Sequence, residues 1–152
     1  MHAVKIDKAQ AADIAALVNL LGELFAIEQD FQADNEKQIR GLYMLLAEVE
    51  RAVILVARDV DGRVVGMVTA QTVISTAEGA YSAWVEDMVV TSDWRGKGVG
   101  RALLEHVVVW AKSKGASRAQ LLVDLDNHPA IDYYHHLAWQ PTSLGARRLK
   151  LS

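Results

Sequence analysis

Apolar residues recur along the chain with two different spacings, and these spacings predict the order of helices and strands. Between positions 14 and 25 they recur every three or four residues, which is typical of an amphipathic helix, and a second such helix is predicted over about 36–47. A short strand is predicted at 2–6, with Asp7 as the cap of the first helix. Continuous apolar runs predict further strands at 52–58, 64–73, 83–90 and 118–125.

The middle and the end of the chain contain turn signals between these runs. The segment 59–63, DVDGR, predicts a hairpin turn, so the three consecutive strands before the next helix are expected to form an antiparallel meander. A short helix is predicted to begin near Asn127, with Pro129 in its first turn. Segments 139–142 and 147–151 are predicted to form a terminal hairpin around Gly145.

A strand, a glycine-rich loop and a long amphipathic helix follow one another between Trp84 and Gly115. The helix ends in a basic turn before a glycine, and strand–helix–strand order predicts a parallel pair between the fourth and fifth strands. Unpaired N–H groups at the helix start attract anions, and glycines allow positive φ angles, so the loop predicts a pyrophosphate site. The residues concerned are Arg95, Gly96, Lys97, Gly98, Val99, Gly100 and Arg101.

The spacing of these glycines excludes two common phosphate loops. A Walker loop needs a Ser or Thr after Gly-Lys to hold magnesium, and none follows Gly98 or Gly100. A dinucleotide fingerprint needs Gly-x-Gly-x-x-Gly, whereas the glycines here alternate with other residues.

Composition and charge narrow the class of protein further. With 152 residues, 51% of them hydrophobic and 23% charged, the chain is expected to form a single domain over 1–152. No apolar run is long enough to span a membrane and no secretion signal is visible, so a cytoplasmic location is expected. A net charge of -3 argues against general binding of nucleic acid, and the absence of cysteine excludes disulfides, thiolate metal sites and a cysteine acyl-enzyme.

Two adjacent acids interrupt the apolar fourth strand. Because side chains alternate along a strand, Glu86 and Asp87 are predicted to lie on opposite faces of the sheet. One acid would then point into the covered side, either as a functional group or as a member of a structural ion pair, and the sequence leaves both readings open. The five histidines have no metal-ligand spacing, so no metal is expected.

Two motifs in this part of the chain resemble the GNAT superfamily of N-acyltransferases. Residues 95–100, RGKGVG, match its acyl-CoA loop, which is Arg or Gln, two residues, Gly, one residue, and Gly or Ala. After the fifth strand, Asn127, Ala130, Tyr134 and Trp139 occupy the positions of a second family motif. Ala138 stands where the family usually has glycine.

The resemblance implies a mixed α/β (α+β) fold with a mostly antiparallel central sheet, a parallel pair at strands 4 and 5, and helices on both faces. It implies an N-acetyltransferase that binds acetyl-CoA as co-substrate and moves the acetyl group directly to a primary amine of a small molecule. A protein lysine or N-terminus as acceptor, or a CoA-binding module without catalysis, are the alternatives. A homodimer is expected from family habit.

The resemblance also assigns roles to residues. It implies that the pantetheine arm lies along Met88, Val89 and Val90 and against Asn127. Tyr134 would protonate the departing thiolate, although a tyrosine that only packs on the sheet is the structural alternative. Glu86 would remove a proton from the amine, through water, while Asp87 and Glu28 would bind the cationic acceptor.

Overall fold

Five strands form one sheet in which neighbours along the chain are also neighbours in space. The structure, a computed structural model, describes residues 3–27 and 34–152. Contacts within the chain group it into two units, Met1–Leu122, which holds the sheet, and Val123–Ser152. The strands are β1 (Lys5–Lys8), β2 (Ala52–Arg58), β3 (Val64–Ser75), β4 (Ala80–Val90) and β5 (Ala116–Leu121).

The sheet is antiparallel except at one pair. Strands β1 to β4 pair in antiparallel fashion, and β4 pairs with β5 in parallel, from Tyr81 opposite Ala116 to Val85 opposite Leu121. The crossover between β4 and β5 is a helix, as parallel neighbours require. The predicted parallel pair is therefore confirmed.

Helices cover both faces of this sheet. The first unit contains α1 (Ile14–Ile27), α2 (Asn35–Ala47) and α3 (Val99–Ser113), and the second contains α4 (His128–His136). Met67 packs with buried residues of α1 and α2. A Cβ placed on the preceding residue, Gly66, would lie 3.1 Å from Leu103 of α3. Since consecutive strand residues face opposite ways, α3 lies on the other face, and the predicted two-sided arrangement is confirmed.

The start of α1 is held by an ion pair with β2. Nη1 and Nη2 of Arg58 donate to the two carboxylate oxygens of Asp13, each at 2.8 Å, and Gln10 N donates to Asp13 Oδ2 at 2.8 Å. The hydrogen bond from Arg58 holds the pKa of Asp13 below its usual value, and the same bond raises the pKa of Arg58. This contact replaces the predicted cap at Asp7, which lies inside β1.

Two predictions about strands at the end of the chain are wrong. Strand β5 ends at Leu121 rather than at Leu125, because Asp124 starts a turn that accepts bonds from Asp126 N and Asn127 N. Residues 137–152 are described and contain no strand, so the terminal hairpin does not form. Apolar residues there, such as Leu149 and Leu151, are exposed, and a strand pattern needs a paired neighbour to become a strand.

No helix in the described ranges is both long enough and apolar enough to cross a membrane.

Candidate functional site

The loop between β4 and α3 has the backbone geometry of an anion site. Gly96 and Gly98 adopt left-handed conformations, with φ of 75° and 83°, and Gly98 caps α3. The first helical bond runs from Ala102 N to Gly98 O at 3.1 Å, so the N–H groups of the first turn precede any intrahelical partner. A Cβ on either glycine would meet nothing within 4 Å. The loop therefore presents donors beside open space, which fits a diphosphate.

The basic side chains of this loop have different surroundings. Lys97 Nζ lies 5.3 Å from the centre of the Trp94 ring, and Arg101 pairs with Glu105 at 2.9 Å on the exposed side of α3. Arg95 instead donates through Nε to Val90 O at 2.9 Å. Arg95 thus fastens the beginning of the loop to the end of β4.

Glu23 of α1 holds the same loop from the other side, and sequence reasoning missed it. Its carboxylate accepts from Thr91 Oγ1 at 2.9 Å and from Ser92 N at 3.2 Å, and it lies 3.7 Å from Arg95 Nη2. The signal in the sequence was a single acid inside an otherwise apolar stretch of α1.

Beyond the parallel pair, β4 continues without β5. The parallel ladder stops at Val85, while the antiparallel ladder continues to Val89 opposite Met67 and Val90 opposite Gly66. Within the strand pairs of the described residues, positions 88–90 thus have no strand partner on their β5 side. An extended chain that carries amides, such as pantetheine, can bind such an edge by strand-like hydrogen bonds.

A β-bulge interrupts β4 where the two acids lie. The register shifts between Met67 opposite Val89 and Thr69 opposite Glu86, and Asp87 has a φ of 53°. The prediction that Glu86 and Asp87 lie on opposite faces is wrong, because the extra residue breaks the alternation and both line the same cavity. Backbone strain of this kind is frequent at functional sites.

Side chains around the bulge hold the two acids in place. Trp84 Nε1 donates to Glu86 Oε1 at 2.7 Å. The buried Thr69 hydroxyl lies 3.2 Å from Glu86 O and 3.3 Å from Asp87 Oδ2, and it can donate to either acceptor. Sequence reasoning missed Thr69, whose only signal was a hydroxyl in an apolar strand.

The acids open onto a cavity of about 720 Å³ between α2 and the strands, which we name the α2 cavity. Gln38 of α2 also lines it, although this residue is only 8% exposed. Among the described residues, neither Gln38 Nε2 nor Gln38 Oε1 has a hydrogen-bond partner. A buried polar group without a partner costs about 1–3 kcal/mol. The lining includes Asp34, Lys37, Gln38, Gly41, Glu48, Arg51, Thr69, Gln71, Thr72, Glu86 and Asp87.

The remaining predicted residues fall elsewhere. Glu28 lies outside the described residues. In the second unit, Asn127 caps α4, because its Oδ1 accepts a hydrogen bond from Ala130 N at 3.2 Å. Tyr134 is half-buried and its ring contacts Trp139 edge to face, with 6.2 Å between the ring centres.

Comparison with known proteins identifies the family of this chain. The model of the acetyltransferase (GNAT) family matches residues 15–139, and the chain belongs to that family. This confirms the predicted family and its class, the acyltransferases.

Individual relatives cover the chain to different extents. Aminoglycoside N(6')-acetyltransferase type 1 from Stenotrophomonas maltophilia is 32% identical over 72% of this chain and 69% of that protein. Streptothricin acetyltransferase from Streptomyces lavendulae is 38% identical over 40% of this chain and 34% of that protein. For two of the curated relatives that it matches, the chain spans about a third of their length, 37% and 34%.

Solved structures support the fold. The crystal structure of a possible acetyltransferase from Clostridium difficile 630 covers 98% of both chains with a TM-score of 0.86 at 16% identity. At this identity the likeness concerns the fold alone.

Proposed function

We propose that the protein is an acetyl-CoA-dependent N-acetyltransferase whose acceptor is a primary amine of a small molecule. The observation that carries the proposal is the pair of left-handed glycines at the start of α3, beside a stretch of β4 that has lost its β5 partner. The N–H groups of the loop and of the first helical turn would hold the diphosphate of coenzyme A. The free edge of Met88 to Val90 would hold the pantetheine arm.

The α2 cavity supplies groups for the amine. An amine is protonated at neutral pH and must lose a proton before it can attack a thioester. Glu86 is an exposed carboxylate at the bulge of β4, and we assign it as the base, acting through water. Asp87, held next to the Thr69 hydroxyl, would attract the cationic acceptor. A backbone N–H of β4 would polarise the thioester carbonyl, a contribution of about 2.7 to 4 kcal/mol at comparable acyl-transfer sites.

The proposed roles of Asn127 and Tyr134 depend on the family motif alone. Tyrosine is a suitable proton donor to a departing thiolate, because its hydroxyl can donate a hydrogen bond and pass a proton. Asn127 keeps its amide donors available for a carbonyl after Oδ1 has capped α4.

The class of acceptor is proposed with help from the relatives. Two of them are named for the acetylation of aminoglycoside and streptothricin, which supports a small polar amine rather than a protein. The lining of the α2 cavity contains four acidic and two basic side chains. This excess of negative charge suits a cationic acceptor. A homodimer is proposed from family habit, and light scattering on the purified protein tests it.

The test is release of CoA from acetyl-CoA in the presence of a panel of primary amines. Glu86→Gln and Tyr134→Phe are expected to lower kcat by about a hundredfold or more, the range of general acid–base catalysis. Two matched controls, Glu50→Gln at an exposed acid and Tyr133→Phe in the same helix, are expected to retain the parent rate. If Glu86→Gln and Tyr134→Phe turn over like the parent, the catalytic assignment is wrong.

A further inference from the structure

Glu23 of α1 contacts three residues at the beginning of the loop between β4 and α3. Its two carboxylate oxygens have different partners, since Oε2 accepts from the Thr91 hydroxyl at 2.9 Å and Oε1 accepts from Ser92 N at 3.2 Å. Oε1 also lies 3.7 Å from Nη2 of Arg95. One side chain of a neighbouring helix therefore holds the main chain where it leaves the sheet.

These contacts fix the segment directly before the glycines. Residues Ser92–Trp94 form a single 3₁₀ turn. The first N–H groups of a helical turn have no partner inside it, and Glu23 accepts one of them, from Ser92. A negative charge is also favourable at this end of a turn. After the turn, Arg95 donates through Nε to Val90 O at 2.9 Å. The segment is thus held at its start and at its end.

The glycines that follow depend on such an anchor. Gly96 and Gly98 have left-handed backbone, and nothing lies within 4 Å of the Cβ position of either residue. Glycine loses more backbone freedom on ordering than any other residue. If a loop becomes ordered only when its ligand binds, the entropy that it loses weakens the binding, whereas a loop that already has the bound shape avoids this loss.

We propose that Glu23 is a positioning residue of the acetyl-CoA site, which holds the loop in the shape that binds the diphosphate. This inference rests on the proposed function. Glu23 acts through the main chain of residues 91–95 rather than by contact with the cofactor, because a carboxylate beside a diphosphate would repel it. Its effect therefore concerns the affinity for the diphosphate and not the chemical step.

The experiment compares acetyl-CoA with S-acetyl-N-acetylcysteamine, a thioester that carries no phosphate. Glu23→Gln keeps the length of the side chain but leaves one acceptor oxygen and no charge. The KM for acetyl-CoA is expected to rise about tenfold, which corresponds to about 1.4 kcal/mol, while kcat at saturation stays unchanged. For the phosphate-free thioester, kcat/KM should equal that of the parent. Glu50→Gln is the matched control, because this acid pairs with Lys114 at 3.6 Å, and it should behave like the parent with both thioesters.

Two further measurements separate positioning of the loop from general damage to the protein. Thr91→Val removes the hydroxyl at the other end of the contact and should raise the KM for acetyl-CoA by a smaller factor, because Ser92 N keeps its acceptor. Leu21 and Phe25 of α1 line the α2 cavity, so a displaced α1 would also change the KM for the amine. In both variants the KM for the amine should equal that of the parent. A change in that KM, or an equal loss with both thioesters, would overturn the inference.

Calorimetric titration with coenzyme A separates this inference from the proposed function. If the parent acetylates no amine but binds CoA about tenfold more tightly than Glu23→Gln does, the inference stands and the proposed function fails. If the parent acetylates amines and Glu23→Gln binds CoA as tightly as the parent or more tightly, the inference fails and the proposed function stands. If the parent binds no CoA, the inference is overturned together with the proposed cofactor.

Discussion

Ala138 provides a test of the backbone reasoning at the second family motif. This residue has a φ of 72°, directly after α4. Its N–H donates to His135 O at 3.0 Å, and the next N–H, of Trp139, donates to Tyr134 O at 2.9 Å. These two bonds form a Schellman motif, in which the left-handed position is usually glycine. The edge-to-face contact of Trp139 with Tyr134 adds the apolar contact that often accompanies the motif.

The Ala138→Gly substitution should therefore stabilise the end of α4. A residue with a Cβ costs about 1–2 kcal/mol in the left-handed region. Glycine loses about 0.5–1 kcal/mol more backbone entropy than alanine on folding. The difference leaves about 1 kcal/mol in favour of glycine, or about a fivefold change in the local opening equilibrium.

Native-state hydrogen exchange at the Trp139 amide measures this change. In Ala138→Gly the amide should exchange about fivefold more slowly than in the parent. Ala130→Gly is the matched control, because Ala130 lies inside α4, where glycine lowers helix stability by about 1 kcal/mol. In this variant the Trp139 amide should exchange faster than in the parent. Faster exchange in both variants would refute the reasoning about the left-handed position.

Two further predictions concern the first unit. Asp13→Asn should lose about 2 kcal/mol of stability at pH 7, because Arg58 loses its charge-assisted hydrogen bonds to Asp13 and keeps only the more exposed Asp7 carboxylate, at 3.4 Å. The folded-state pKa of Asp13 is lowered, so its contribution is present above about pH 4 and is lost as the pH falls through the folded value. Urea unfolding of parent and variant should show their difference narrowing in acid, and a constant difference would contradict the ion pair. Gly66→Ala should lose about 1 kcal/mol in the same assay, because the new Cβ would lie 3.3 Å from the rigid Val89 O. Gly22→Ala, in α1 with open space around it, should gain stability, and a gain at Gly66 as well would contradict the close approach of Val89 O to that position.

The geometry of the loop between β4 and α3 was predictable from sequence, because it depends on local interactions only. Alternating glycines permit left-handed backbone at Gly96 and Gly98, and the spacing of apolar residues after them defines α3. Neither feature depends on a distant part of the chain. The pattern of strands β2 to β4 was predictable for the same reason.

The β4 bulge was not predictable from the pattern, because it depends on the register between two strands. In the sequence, Glu86 and Asp87 look like neighbours in a regular strand whose side chains alternate between the two faces. Only the pairing of β4 with β3 shows that β4 contains one extra residue here. The end of β5 depended on the turn at Asp124 rather than on the apolar run that continues through Leu125.

Single polar residues inside apolar segments were the hardest to interpret. Glu23 and Thr69 each interrupt an apolar stretch, in α1 and β3, whereas Gln38 lies in the polar first half of α2 and gives no such signal. The sequence does not say which partner each side chain meets. Glu23 hydrogen-bonds to the loop before α3, and Thr69 hydrogen-bonds to residues of the bulge. Gln38 belongs to the lining of the α2 cavity.

Calorimetric titration with coenzyme A tests the central claim most directly, which is that the amides at the start of α3 bind its diphosphate. The parent should bind CoA, and Gly98→Ala should bind it about tenfold more weakly, because the new methyl group occupies the open space at the donors. Gly62→Ala is the control, since Gly62 has the same φ of 83° in the turn between β2 and β3 and also has nothing within 4 Å of its Cβ position. Unchanged affinity in Gly62→Ala together with weaker binding in Gly98→Ala is the predicted result. Equal affinity of both variants, or no binding of CoA by the parent, would contradict the account.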